Sequence, residues 1–206
     1  YLDVAGQGWQ RYLSGRSSEL RSTLKRKGRK FLNDGGTLEI VSGGEALEAA
    51  LSAYQEIYAA SWKREEPYPA FIPGLVRLAA RMGWLRLGVA RLRGKPVAAQ
   101  IWLVAHGTAN IYKLAYDEAY AAYSVGTLLT AHLLQHVMEV DGVATVDFLS
   151  GDDPYKPAWM SDRRERWGIV AYNPRTLAGL LGLGREIIGR GLKRLYVRAN
   201  DVRGKG

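Results

Sequence analysis

Leu85-Arg86-Leu87-Gly88-Val89, then Val97-Ala98-Ala99-Gln100-Ile101-Trp102-Leu103, then Ala109 to Tyr116, place apolar side chains at alternate positions in three successive runs. Period two is the signature of strands with one face buried. Arg93-Gly94-Lys95-Pro96 joins the first two runs and His106-Gly107-Thr108 joins the second to the third, so the spacing predicts a three-stranded antiparallel meander.

Outward from the meander the period changes. On its N-terminal side, Leu47, Leu51, Tyr54, Ile57 and Tyr58 recur at helical spacing within a helix expected over Glu45–Lys63, which Pro67 and Pro69 stop. A further helix is expected over Phe71–Met82, and Thr37–Ser42 reads as a short strand. Ahead of that strand, Ser17 or Ser18 opens an amphipathic helix through Leu20, Leu24, Phe31 and Leu32 that ends at Gly35-Gly36. On the C-terminal side the pattern predicts a helix over Val125–Val140, a buried strand over Ala144–Leu149 and a short helix at Pro154–Met160. A strand at Trp167–Tyr172 and a helix from Pro174 to Leu195 complete the series. This order is α+β: a mixed, mostly antiparallel sheet flanked by helices. The domain reading is a basic helical segment, residues 1–36, ahead of a single α+β domain over residues 37–200.

The chain has 206 residues, 47% hydrophobic and 24% charged, enough to bury a core in one domain. It opens without methionine and in mid-pattern, so it reads as a piece of a longer protein. Zero cysteines exclude disulfides, thiolate catalysis and cysteine-held zinc or iron–sulfur clusters. No apolar run approaches the length that crosses a bilayer and no signal peptide opens the chain, so the expected location is cytoplasmic. The net charge of +9 gathers at the two ends, Arg11 to Lys30 and Arg185 to Lys205. Such a field draws nucleic acid, anionic lipid or phosphorylated cofactors without choosing among them, and it equally suits a solvated basic surface.

Two clusters carry candidate chemistry. In the first, the strand ending Tyr112-Lys113-Leu114-Ala115-Tyr116-Asp117 feeds a helix that opens Ser124-Val125-Gly126-Thr127-Leu128. Unpartnered N–H groups, the helix dipole and a glycine make that start suited to phosphate, whereas plain N-capping by Ser124 explains the same residues without a ligand. The second cluster, Asp147 to Trp159, follows the next strand, and carboxylates, a phenol and an ammonium there suit acid–base work. A Gly-Asp-Pro turn accounts for Asp152 to Pro154 but not for Tyr155 and Lys156. His132 and His136 share a helix face but lack a third ligand, so no metal site is assigned. The glycines from Gly179 to Gly191 lack the spacing and leading strand of a dinucleotide loop.

With these elements placed, the sequence resembles the GNAT superfamily of acyltransferases, in particular the branch associated with cellulose and other exopolysaccharide biosynthesis. Ser61-Trp62-Lys63, the run Tyr112 to Leu129, and Gly151-Asp152-Asp153-x-Tyr155-Lys156-x-x-Trp159 carry the resemblance, together with the basic helix around Lys25 to Lys30. Val125 stands where the family often has proline, which leaves the glycine and helix start intact. The resemblance implies acetyl-CoA or another acyl-CoA as co-substrate, lying between two splayed strands, and no metal. Its pantetheine arm would run along the strand of Tyr112 and Lys113, and its pyrophosphate would meet Ser124, Val125, Gly126, Thr127 and Leu128. On this resemblance, Asp147 or Asp152 would be the base or acceptor-orienting carboxylate, Tyr155 the acid near the sulfur, Lys156 an electrostatic partner of the carboxylates or the substrate, and Trp62, Lys63 and Trp159 would lie beside a small or sugar-like amine acceptor. Two alternatives stand beside it. One is a Fem-like transferase using aminoacyl-tRNA, with the basic helix on RNA. The other is a silent GNAT-like module that binds a partner or touches an anionic membrane surface through its C-terminal helix.

Overall fold

The computed structural model describes residues 1–61, 63, 66–165 and 167–189. Contacts divide the chain into two compact units, Tyr1–Arg164 and Glu165–Gly206.

In the first unit the expected meander forms: β3 (Leu85–Leu92), β4 (Lys95–Ala105) and β5 (Thr108–Tyr116) pair antiparallel in sequence order. β2 (Gly36–Val41) extends the sheet beyond β3, and β6 (Thr145–Asp147) lies parallel to β5 on the other side. The sixth strand differs from expectation. It is β1 (Leu2–Asp3), antiparallel to β6, giving the order β1-β6-β5-β4-β3-β2. Trp167–Tyr172, expected as a strand, holds none among the described residues, and Trp167 and Ile169 are exposed. Its apolar residues imitate a strand pattern, but the free edge of β6 is already paired with Leu2 and Asp3.

Period two divides the strand side chains between two cores. Leu85, Leu87, Val89, Ala99 and Ile101 meet α3 (Leu47–Ala60) and α4 (Phe71–Arg81) on one face. Ala90, Ala98 and Trp102 meet α1 (Trp9–Ser14), α2 (Ser18–Asn33) and α5 (Val125–Glu139) on the other. Gly88 makes the second packing possible, because a Cβ there would lie 2.6 Å from Leu133 Cδ1. α2 starts as its sequence suggests, with Ser17 Oγ accepting the Leu20 N–H at 3.2 Å. Residues 1–36, set apart in the sequence as a basic helical segment, place Leu2, Val4, Trp9, Tyr12, Leu20 and Phe31 in the core of the first unit. The short helix expected at Pro154–Met160 is a single 3-10 turn, Lys156–Ala158. In the second unit, described by itself, residues 177–189 are helical, and the remainder of the helix expected to reach Leu195 lies outside the described residues. No helix among the described residues is long and apolar enough to cross a membrane.

Candidate active site

β5 and β6 pair over three positions, Thr108↔Thr145, Ala109↔Val146 and Asn110↔Asp147. β6 ends there while β5 runs on to Tyr116 with only β4 beside it among the described residues, so a gap opens on the β6 side of β5 from Ile111 onward. Within the gap β5 bulges: Ile101 faces Lys113 and Trp102 faces Ile111, leaving Tyr112 as the extra residue. A bulge re-aims side chains and frees backbone groups from the ladder.

At Tyr116, the end of β5, the gap is met by the start of α5. Ser124 holds φ 54° and ψ 41°, a left-handed turn that swings the chain from the 3-10 turn Glu118–Tyr123 into the helix. Its side chain does not cap the helix, which leaves the first-turn N–H groups of Val125, Gly126 and Thr127 without an intrahelical acceptor, since the helix's own bonding begins with Leu128 N–H to the Ser124 carbonyl at 3.0 Å. Gly126 and Thr127 are half-buried, whereas the side chains of Val125 and Leu128 belong to the core. A Cβ on Gly126 would stand 3.5 Å from the Tyr116 ring, so the end of β5 and the start of α5 touch through the glycine. This start is anchored from below. Gln100, 1% exposed, donates from Nε2 to the Gly126 carbonyl at 3.0 Å and to Thr130 Oγ1 at 2.8 Å, and accepts the Trp102 indole N–H at 2.9 Å. Sequence reasoning passed over Gln100, although a lone amide in an otherwise apolar strand was the available signal.

The residues after β6 are brought into one loop but not into one role. Asp147 Oδ1 accepts the Leu149 N–H at 2.7 Å, forming a turn in which Leu149 has φ 56°. Lys156 Nζ reaches the carbonyls of Ser150 and Gly151 at 2.8 and 3.2 Å and Asp153 at 3.0 Å, so its ammonium ties the loop together. Asp152 lies at the surface, paired with Arg163 at 3.2 Å. Tyr155, 41% exposed, packs edge-on against Phe148 at 5.8 Å, and partial burial, helped by the Asp153 charge, pushes its phenol up to about 12. Trp159, expected beside an acceptor, is 3% exposed in the core, where its carbonyl accepts the Tyr12 hydroxyl at 2.8 Å and Arg16 Nη1 at 3.2 Å. Trp62 lies outside the described residues.

On the other side of β5 a second polar group assembles at the end of α3. Lys113 Nζ lies 2.5 Å from Glu66 Oε1, and the Tyr58 hydroxyl also bonds Glu66. The Lys113 and Tyr58 bonds hold the Glu66 carboxyl below its usual range, the Lys113 bond more strongly. Lys63 is pushed below the ordinary lysine range by burial and then by Lys113. Tyr54, Tyr58 and Glu66 carried no signal in the sequence beyond helix periodicity and loop polarity. His136 lies 3.8 Å from Asp141, and burial followed by the His136 charge lowers His132. Among the described residues no three side chains cluster as metal ligands.

The family profile described as Acetyltransferase (GNAT) domain matches residues 18–157. The chain belongs to this family. Those residues run from the start of α2 to the loop after β6, and so include both strands that border the gap. Among solved structures, an aminoglycoside acetyltransferase from an uncultured soil metagenomic sample, in complexes with trehalose and with sisomicin, superposes at TM-score 0.50 and 17% identity over 70% of this chain and 99% of that one. A ribosomal-protein-alanine N-acetyltransferase from Brucella melitensis biovar Abortus 2308 aligns at TM-score 0.47 and 9% identity, over 67% of this chain and 99% of that one. The ribosomal-protein-S18-alanine N-acetyltransferase from Escherichia coli aligns at TM-score 0.43 and 20% identity over 54% of this chain, and the match spans 64% of that enzyme's length. At these identities the likeness is one of fold. Comparison with curated proteins gives no significant match.

GNAT acetyltransferases take their acetyl group from acetyl-coenzyme A. The residues of this GNAT domain fit such a molecule at two points: among the described residues the part of β5 beyond Asn110 has no strand on the β6 side, and the α5 start offers N–H groups beside a glycine.

Proposed function

We propose that this GNAT domain transfers an acetyl group from acetyl-coenzyme A to the amine of a small, sugar-like acceptor, in a setting such as exopolysaccharide assembly. The observation that carries the reading is the gap beside β5 beyond its pairing with β6, met at Tyr116 by first-turn N–H groups of α5 that have no acceptor among the described residues. Acetyl-coenzyme A would supply the activated acyl carbon, a thiol leaving group and an anionic tail. Gly126 and Thr127, with the backbones of Val125 and Leu128, would hold the pyrophosphate, and the exposed edge of β5 around Tyr112 would hold the pantetheine arm.

Direct attack by the acceptor amine needs the amine neutral, so a carboxylate must take its proton. Asp147 suits this better than Asp152. It stands at the mouth of the gap with one oxygen fixed by the Leu149 N–H, while Asp152 is at the surface and spends its charge on Arg163. Tyr155, raised to about 12, keeps its proton at neutral pH and would serve the departing sulfur as a hydrogen-bond donor. Lys156 would shape the loop rather than touch substrate, because its ammonium is already engaged by two carbonyls and a carboxylate. Lys63, on the far side of β5, would face the acceptor.

Calorimetric titration of the full chain with acetyl-CoA and desulfo-CoA tests the reading. Saturable binding is expected, weakened by about 10-fold or more in Gly126→Trp, whose indole must enter the space beside Tyr116. Absence of binding by the unaltered chain would overturn the proposal, and unaltered affinity in the variant would move the phosphate site elsewhere.

A further inference from the structure

Tyrosine and tryptophan aside, Gln100 and Thr130, 1% and 4% exposed, are the polar side chains buried among the described residues, and they bond each other at 2.8 Å. Both also converge on one backbone oxygen. The Gly126 carbonyl accepts Gln100 Nε2–H at 3.0 Å and the Thr130 hydroxyl at 2.9 Å. The Trp102 indole N–H donates to Gln100 Oε1 at 2.9 Å, which settles which end of the amide faces Gly126. Both amide protons of Gln100 and its oxygen are thereby used, while the Thr130 hydroxyl accepts one bond and donates another.

Core packing does not call for this network. Ala98, Trp102, Leu129 and Leu133 in the same core are apolar, and apolar groups of matching shape replacing a bonded polar pair together are nearly neutral for stability. What the network grips is a single peptide group. The Gly126 carbonyl and the Thr127 N–H belong to one amide, and that N–H is among the first-turn donors without an intrahelical acceptor. A trans peptide points its carbonyl and its N–H in opposite directions, so a carbonyl held by two side chains fixes the line of the N–H. Hydrogen bonds at a carbonyl oxygen also polarise the amide and strengthen its N–H as a donor. Among the described residues no side chain donates to the carbonyls of Ser124 or Val125, which belong to the other two open amides of the turn.

We infer that Gln100 and Thr130 are positioning residues for the phosphates of the acyl donor: they aim and polarise the Gly126–Thr127 peptide, which makes Thr127 N–H the chief phosphate donor of the α5 start. The inference rests on the acetyl-transfer reading above and names the buried side chains that set its phosphate affinity. Their influence ends with the phosphates, because neither side chain bonds β5, along which the pantetheine arm would run.

The test is a proton–nitrogen NMR titration of the full chain with two ligands: acetyl-CoA, and S-acetylpantetheine, which keeps the thioester and the arm but has no phosphate. In the unaltered chain the Thr127 amide proton should move downfield with acetyl-CoA, further than those of Val125 and Gly126, and stay in place with S-acetylpantetheine. Thr130→Val, close in shape to the parent, and Gln100→Met should each weaken acetyl-CoA by about 5-fold or more while S-acetylpantetheine stays within about 2-fold. Thr130→Ser restores the hydroxyl and should return acetyl-CoA affinity to within about 2-fold of the parent. A network that only supports the fold would weaken both ligands alike, and that result would overturn the inference. So would full acetyl-CoA affinity in both variants, or a Thr127 shift that is the same with either ligand. If Gln100→Met does not fold, the Thr130 variants and the Thr127 shift decide. Failure of the unaltered chain to bind acetyl-CoA would overturn the acetyl-transfer reading and this inference with it, whereas binding that ignores the variants overturns the inference alone.

Discussion

At the scale of single residues, the loop after β6 separates groups that look equivalent in sequence. Asp147 and Asp152 are both carboxylates near the end of one strand, but one is fixed by a backbone N–H and the other pairs with Arg163 in solvent. On the proposed function, Tyr155 is the phenol that would donate to the departing sulfur. Replacement by Phe keeps the packing on Phe148 and removes the donor, so the rate of acetyl transfer should fall by about 10-fold or more with little change in acetyl-CoA affinity. The same variant has a pH signature. The phenol ionises near 10 when unfolded and at about 12 when folded, so between those values the unfolded chain holds fewer protons and stability falls as pH rises. Its contribution is intact below pH 10, and melting temperatures followed from pH 9 to 12 should decline less steeply in Tyr155→Phe. An unchanged rate would remove Tyr155 from the chemistry.

At the scale of elements, the gap is made by the way a strand stops and a helix starts. The alternation of β4 and β5 and the helical period after Ser124 are both plain in the sequence, because each depends on local side-chain spacing. The bulge at Tyr112 and the short pairing of β6 were not, because register is set by what lies across the sheet. Gln100 joins these elements by tying the first turn of α5 to β4. Gln100→Leu would leave the Trp102 indole N–H without its acceptor and Gly126 without one donor, at a cost of about 2 kcal/mol. Urea denaturation should register that loss, and acetyl-CoA should bind more weakly because the α5 start is no longer held. Full affinity in a destabilised variant would show that α5 keeps its place without the amide.

At the scale of the whole molecule, residues ahead of the family match complete the sheet. β1 pairs with β6, Tyr1 exchanges backbone hydrogen bonds with Asp162 at 2.7 and 3.1 Å, and Tyr12 and Arg16 both donate to the Trp159 carbonyl. The loop that carries Asp147 and Tyr155 is thereby held at its far end by the first turns of the chain. Tyr12→Phe keeps the ring in the core and deletes one buried hydrogen bond, which should lower stability by about 1 kcal/mol in urea denaturation. A melting curve unchanged from the parent would show that Arg16 alone suffices.

The sequence by itself determined the meander, the helix that follows it, and the glycine at that helix's start, since these follow from spacing and from the chemistry of a few neighbouring residues. It was also enough for the family resemblance, carried by Ser61 to Lys63, Tyr112 to Leu129 and Gly151 to Trp159. Only the tertiary structure decided that Trp159 belongs to the core, that Lys156 binds its own loop, and that Lys113 turns to Glu66. It also decided that the strand beside β6 comes from Leu2 and Asp3 rather than from Trp167–Tyr172. The physical reason is common to all four: each depends on a partner remote in sequence or on competition for one edge or one charge. Side-chain spacing records which face a residue prefers, but not which of several suitable partners reaches it first.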